Sequence, residues 1–262
     1  KIKYLDTKHG KIFDNLIKNK NKKFITLIGG LGSTISSWDK QIEKYKKNFS
    51  ILAFDNLGSG KSDFPKQKIS MELFSSNTFE ILKTLKIKRT HIIGKSMGGM
   101  IAQVFAAKYQ RMTDKLILAC TSASRDEIGN EIINIAKKTA KKVGLKELWF
   151  NALLLGYSRK YVIRNFKDYK KTKVSNNEDD VEGYLKQCSA IEKLSNIKYL
   201  SNIKAKTLIV YGKNDLIVDP SKSIELAKKI YHSQVIGFPG GHGFWKENSH
   251  LVDNEVLDFL VN

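Results

Sequence analysis

Six apolar runs of strand length recur along the 262 residues, each set off from the next by a segment of helical periodicity. That rhythm leaves mainly one arrangement open, a mostly parallel sheet flanked by helices. The runs are Phe24–Ile28, Ser50–Phe54, His91–Ile93, Lys115–Cys120, Thr207–Tyr211 and Ser233–Ile236. Two hairpin strands joined at Lys8-His9-Gly10-Lys11 open the chain and bring the expected sheet to eight strands. A closing helix is expected over Glu247–Val261, with Leu251, Val252, Val256, Leu257 and Leu260 as its apolar face.

Between Ser124 and Lys204 the strand rhythm stops. Helical patterns cover Asp126–Val143, Lys146–Leu155, Arg159–Lys170 and Asp179–Leu194, and the stretch 170–178 is the most loop-like part. An insertion of this size between two sheet strands reads as a helical cap over the carboxyl edge. The expected division is a core of 1–124 and 205–262 with a cap of 125–204.

At one strand end the chain reads Gly94-Lys95-Ser96-Met97-Gly98-Gly99 and continues into Met100-Ile101-Ala102-Gln103. This is a G-x-S-x-G nucleophile elbow in its expected setting, a strand-to-helix turn so tight that the flanking glycines leave room where a Cβ would collide. A serine hydroxyl is a poor nucleophile alone, so Ser96 matters only with a base, an acid to orient it, and donors for an oxyanion. His242, in the glycine-rich loop Phe238-Pro239-Gly240-Gly241-His242-Gly243-Phe244, is the candidate base; His9, His91, His232 and His250 have no comparable setting. Asp215 comes directly off the Thr207–Tyr211 strand and is the candidate acid. Asp219, followed by Pro220, reads as a helix cap instead, and Asp126 is the poor alternative on the previous strand's loop. Backbone N–H groups of Met97 and of Leu31, in Gly29-Gly30-Leu31-Gly32, are the candidate oxyanion donors. Gly60-Lys61-Ser62 and Gly94-Lys95-Ser96 look like the end of a phosphate-binding loop, but its first glycine would fall on Asp55 and Arg89.

Order and spacing of Ser96, Asp215 and His242, with the elbow after a strand and the insertion before the acid, resemble the α/β-hydrolase family over nearly the whole chain. Ser96-Met97-Gly98-Gly99-Met100-Ile101-Ala102-Gln103 is similar to the branch of small esterases, enol-lactone hydrolases, perhydrolases and C–C bond hydrolases. The resemblance implies that Ser96 attacks, His242 moves the proton and Asp215 fixes the imidazole tautomer, with no cofactor and no metal. Two departures stand out. Gly29-Gly30 replaces the family's usual His-Gly, and Leu57 replaces the arginine of its Asp-x-Arg-Gly-x-Gly-x-Ser, which puts the stiffness of the oxyanion loop in question.

Composition adds partners and compartment. The net charge of +20 is carried almost wholly by lysine, since only Arg89, Arg111, Arg125, Arg159 and Arg164 are arginines. Spread over every surface segment, it reads as a solvated coat more than a nucleic-acid surface. Cys120 and Cys188 read as reduced packing residues, and no signal-peptide core or membrane-length apolar stretch is present, so the reading is cytoplasmic. The expected substrate is a small or medium carboxylic ester, with Trp38, Trp149, Phe150, Leu153, Leu154, Phe244 and Trp245 as candidate pocket residues. A methyl ester carried by an acidic acyl-carrier protein is the alternative, met by a basic edge at Arg159 and Arg164; a non-catalytic receptor that keeps the pocket is the third reading.

Overall fold

The computed structural model describes residues 2–20, 22–65, 67–175 and 177–262. Lys1 and, in the loop-like stretch, Asn176 lie outside the described residues. The strands are β1 (Ile2–Thr7), β2 (Gly10–Ile17), β3 (Phe24–Ile28), β4 (Ser50–Phe54), β5 (Thr90–Lys95), β6 (Thr113–Ala119), β7 (Lys206–Gly212) and β8 (Ser233–Phe238). They form one sheet in the order β1-β2-β4-β3-β5-β6-β7-β8. β1 and β2 pair antiparallel, as do β2 and β4, and the remaining pairs are parallel.

The helices are α1 (Asp39–Tyr45), α2 (Met71–Thr84), α3 (Met97–Lys108), α4 (Glu127–Lys142), α5 (Leu145–Gly156), α6 (Arg159–Lys171), α7 (Glu178–Glu192), α8 (Ile197–Leu200), α9 (Pro220–Lys229), α10 (Phe244–Glu247) and α11 (Ser249–Val261). Both faces of the sheet are covered, which is why its central strands read as unbroken apolar runs instead of alternating ones. Leu52, Ile92, Leu116, Leu118 and Ile209 point to one core with α2 and α3; Ile51, Ile93, Ile117, Leu208 and Val210 point to the other with α1 and α11. Period-two alternation survives inside the runs as a choice of core.

The closing helix, α11, starts at Ser249, two residues later than expected. Asn248 leaves helical geometry (φ −122°, ψ 37°) and divides α10 from α11. Its side-chain Nδ2 donates to the Pro239 carbonyl at 2.7 Å and to that of Phe244 at 3.0 Å, local bonds that compete with a continuous helix. Five helices, α4 to α8, intervene between β6 and β7, and side-chain caps start three of them: Asp126 accepts from Gly129 N, Ser158 from Tyr161 N and Asn177 from Asp180 N. Cys120 and Cys188 are both free and buried. Among the described residues no helix is long and apolar enough to cross a membrane.

Candidate active site

β5 ends at Lys95 and α3 begins at Met97, so the whole reversal falls on Ser96, at φ 54° and ψ −120°. A residue with a Cβ adopts such a backbone only where its surroundings hold it there. Here Ser96 N donates to the Ala119 carbonyl at 2.9 Å, and Thr121 Oγ1 donates to the Ser96 carbonyl at 2.8 Å. The bracketing glycines are steric necessities. A Cβ on Gly98 would fall on the Ile28 carbonyl oxygen, and one on Gly94 on that of Gly98.

His242 and Asp215 meet although 27 residues separate them, with the His242 Nδ1–H donating to Asp215 Oδ2 at 2.7 Å. Asp215 is buried, and its other oxygen accepts Ile217 N at 2.8 Å and Val218 N at 3.0 Å, so the carboxylate cannot rotate away from the ring. Burial disfavours a charged ring, but the Cys120 sulfur and the Asp215 carboxylate outweigh it and raise the His242 pKa above its ordinary 6.5. Asp219 caps α9 by accepting Ser221 N, and Asp126 caps α4. His91 is fully buried in β5 against the Phe49 ring, where burial lowers its pKa to about 4.

Cys120, read from sequence as packing, sits just past β6 in a left-handed conformation (φ 41°). Its sulfur and one atom each of Asp215 and His242 lie within 4.8 Å of one another. These are donors of types that hold zinc. However, two atoms bound to one tetrahedral zinc stand about 3.4 Å apart, whereas Nδ1 and Oδ2 are 2.7 Å apart, the span of a shared proton.

Backbone at the candidate oxyanion position approaches Ser96 closely: a Cβ on Gly30 would stand 3.3 Å from that of Ser96. Among the described residues neither Leu31 N nor Met97 N donates to a protein acceptor, which leaves both free for a ligand oxygen. The loop is braced from several sides. Asn56 Nδ2 donates to the Gly29 carbonyl (3.0 Å) and Ser59 Oγ to that of Ser33 (3.1 Å). Asp55 accepts Ile35 N at 2.7 Å and Lys61 N at 2.9 Å; burial raises its pKa against the pull of those two bonds. From the inserted helices, fully buried Gln187 accepts Gly32 N at 2.8 Å and donates to the Leu57 carbonyl at 2.9 Å. Where the resemblance has a histidine and an arginine, this chain has a glutamine 155 residues away, and Leu57 itself is fully buried.

Ser96 and His242 flank the end of β6, one bonded to Ala119 and the other beside Cys120. No hydrogen bond joins Ser96 Oγ to the His242 ring; such contacts commonly tighten only when substrate is bound.

Beside His242 opens a cavity of about 660 Å³, walled by Leu31, Trp38, Lys95, Trp149, Leu153 and Tyr157 among others. A second, of about 690 Å³, shares Leu31, Gly32, Trp149 and Ala152 with it and runs toward Tyr184. Trp38, Trp149, Leu153 and Trp245 thus reach the cavity. The other three candidate pocket residues lie elsewhere. Phe150 packs on the Phe166 ring, Leu154 is 51% exposed, and Phe244 is buried in the core stacked on Phe238. Arg159 and Arg164 are exposed on α6 and are not part of the cavity lining.

The described fold matches known proteins throughout. Residues 24–248 match the family model described as alpha/beta hydrolase fold. The enol-lactonase from Burkholderia xenovorans LB400 superposes with a TM-score of 0.92 at 25% identity, over 99% of this chain and 100% of that one. The protein named "Putative carbamate hydrolase RutD" of Agrobacterium fabrum is 23% identical over 250 residues, 90% of this chain and 92% of its own. An uncharacterized protein of Mycobacterium tuberculosis is 35% identical over 94 residues, but the chain spans only 28% of its length. The elbow, the strand order and the match over residues 24–248 together place this chain in the α/β-hydrolase fold family.

Proposed function

We propose that the protein hydrolyses carboxylic esters through an acyl-enzyme on Ser96. The observation that carries the reading is the 2.7 Å bond from His242 to an Asp215 already pinned by two backbone N–H groups, at the carboxyl edge that also holds the strained serine. With Nδ1 protonated and committed to Asp215, the Nε2 lone pair is the basic site. Ser96 Oγ adds to the ester carbonyl carbon as Nε2 takes its proton; the carbonyl oxygen becomes an oxyanion facing the N–H groups of Leu31 and Met97. Collapse expels the alkoxide, which leaves as the alcohol with the proton from His242. Water then repeats the sequence on the acyl-enzyme, releasing the acid and restoring Ser96. Each oxyanion donor is worth about 3–4 kcal/mol in such sites.

An enol-lactone is a cyclic ester, so the likeness to the enol-lactonase from Burkholderia xenovorans LB400 is compatible with the same steps. A carrier-linked ester is the narrower alternative, supported by the exposed Arg159 and Arg164; it requires turnover that collapses with added salt, as surface pairing is screened within about 10 Å at 0.1 M.

A panel of p-nitrophenyl and methyl esters of increasing acyl length, run with wild type and Ser96→Ala, tests the reading. Wild type is expected to turn over short to medium esters, and the variant to lose about 10⁵-fold or more in kcat. A Ser96→Ala protein that keeps most of its activity removes Ser96 from the chemistry.

A further inference from the structure

Three lysines from three distant segments converge on the cavity beside His242: Lys40 from α1 after the oxyanion loop, Lys95 directly before the nucleophile, and Lys246 four residues after the base. Three lysines from separate segments, all lining one cavity, differ from a coat scattered evenly over the surface. Among the described residues none of the three makes an ion pair; Lys246 Nζ instead lies 5.5 Å over the Tyr169 ring. The lining holds a single carboxylate, Asp39, beside these cations and the histidine. Burial and then the facing charges of Lys40 and Lys95 lower the Lys246 pKa, so the three are close enough to repel.

A second observation is independent of the charges. Trp38 lines the same cavity at 3% exposure, and its indole Nε1 has no acceptor in the protein. A Cβ on Gly29 would stand 3.7 Å from that nitrogen, which sets the N–H at the root of the oxyanion loop. A buried donor without a partner is costly unless a ligand satisfies it. Unpaired cations and an unpaired buried donor want the same thing, an anion.

Resting on the esterase reading, we infer that the substrate is an ester with a second, anionic group, a carboxylate or a phosphate, held by Lys40, Lys95, Lys246 and the Trp38 N–H while its carbonyl reaches Ser96. The acid released from the acyl part would be a dianion if that group lies on the acyl side.

Paired p-nitrophenyl esters test this: hemisuccinate and hemiglutarate against butyrate and valerate, which match them in reach but lack the charge. The expected result is a kcat/KM at least tenfold higher for the charged member, most of it in KM, and a preference that shrinks in 0.5 M NaCl. Lys95→Met and Lys246→Met, their folding checked by circular dichroism and Tm, are expected to lower kcat/KM for the charged ester several times more than for its neutral partner. Trp38→Phe, which keeps the ring and removes the donor, is expected to act in the same direction. Glutarate and inorganic phosphate, each tested for protection of Ser96 against a fluorophosphonate, tell the two anions apart. Equal rates for charged and neutral esters with Ser96-dependent turnover overturn the anion inference and leave the esterase reading standing. Failure of the fluorophosphonate to label Ser96 overturns the esterase reading instead; in that case glutarate or phosphate binding measured by calorimetry, lost in Lys246→Met, supports the anion site, and its absence overturns it.

Discussion

The loops at the carboxyl edge of the sheet and the helices inserted between β6 and β7 are built on different principles. Around Ser96, Asp215 and the oxyanion loop nearly every position is fixed by backbone hydrogen bonds or by contact with backbone: Ser96 between Ala119 and Thr121, Asp215 on Ile217 and Val218, Gly98 against Ile28. Helices α5 and α6 hold together mainly through ring contacts, Trp149 on Tyr169 and Phe150 on Phe166, while Leu154, Leu155 and Ile163 stay exposed. Backbone bonds leave little freedom in where a catalytic atom stands. Side-chain packing tolerates substitution of similar volume. The proposed chemistry therefore draws on the rigid region, while α5 adds Trp149 and Leu153 to the cavity from the adaptable one.

The largest effect that sharpens this contrast is expected at Asp215. Asp215→Asn keeps the shape but cannot hold the same tautomer, and kcat is expected to fall by roughly 10⁴-fold. Because Asp215 raises the His242 pKa, activity in wild type should be lost as pH falls through a limb above 6.5, as the ring takes up a proton; in the variant that limb should move to lower pH. Adding Cys120→Asp to Asp215→Asn puts a carboxylate where the sulfur now neighbours the ring, and is expected to recover about tenfold of the lost rate.

Stability provides the next test. Gly98→Ala drives a methyl into the Ile28 carbonyl and is expected to cost about 3 kcal/mol, a Tm lowered by roughly 6–12 °C in a calorimetric scan. Gln187→Leu removes both bonds by which α7 braces the oxyanion loop. A fall of about tenfold in kcat with KM little changed is expected, equivalent to about 1.4 kcal/mol of transition-state stabilisation. A change confined to KM would mean that Gln187 shapes the pocket instead. At the small end, Leu154→Ser on the exposed face of α5 is expected to shift stability by no more than about 0.5 kcal/mol.

The same division decides what could be read from the chain. Strand positions, four of the five inserted helices to within two residues at each end, and the Asp219 cap follow from local rules of periodicity, glycine sterics and helix starts, all of which act over a few residues. The break at Asn248 was hidden, because the Pro239 carbonyl that its side chain seeks belongs to another loop. Gln187 and Cys120 carry no local signal at all: a glutamine in an amphipathic helix looks like surface, and a cysteine ending an apolar strand looks like core. Phe244 and Leu154 show the converse. Both have the composition of a pocket, yet one is sealed in the core and the other faces water. Convergence of Lys40, Lys95 and Lys246 was masked by the abundance of lysine everywhere else.

The most direct measurement of the central claim is reaction of the folded protein with a fluorophosphonate, followed by intact mass and peptide mapping. A single adduct on Ser96, absent from Ser96→Ala and formed far more slowly in Asp215→Asn, is the expected result. No adduct, or one on a different serine, would contradict it.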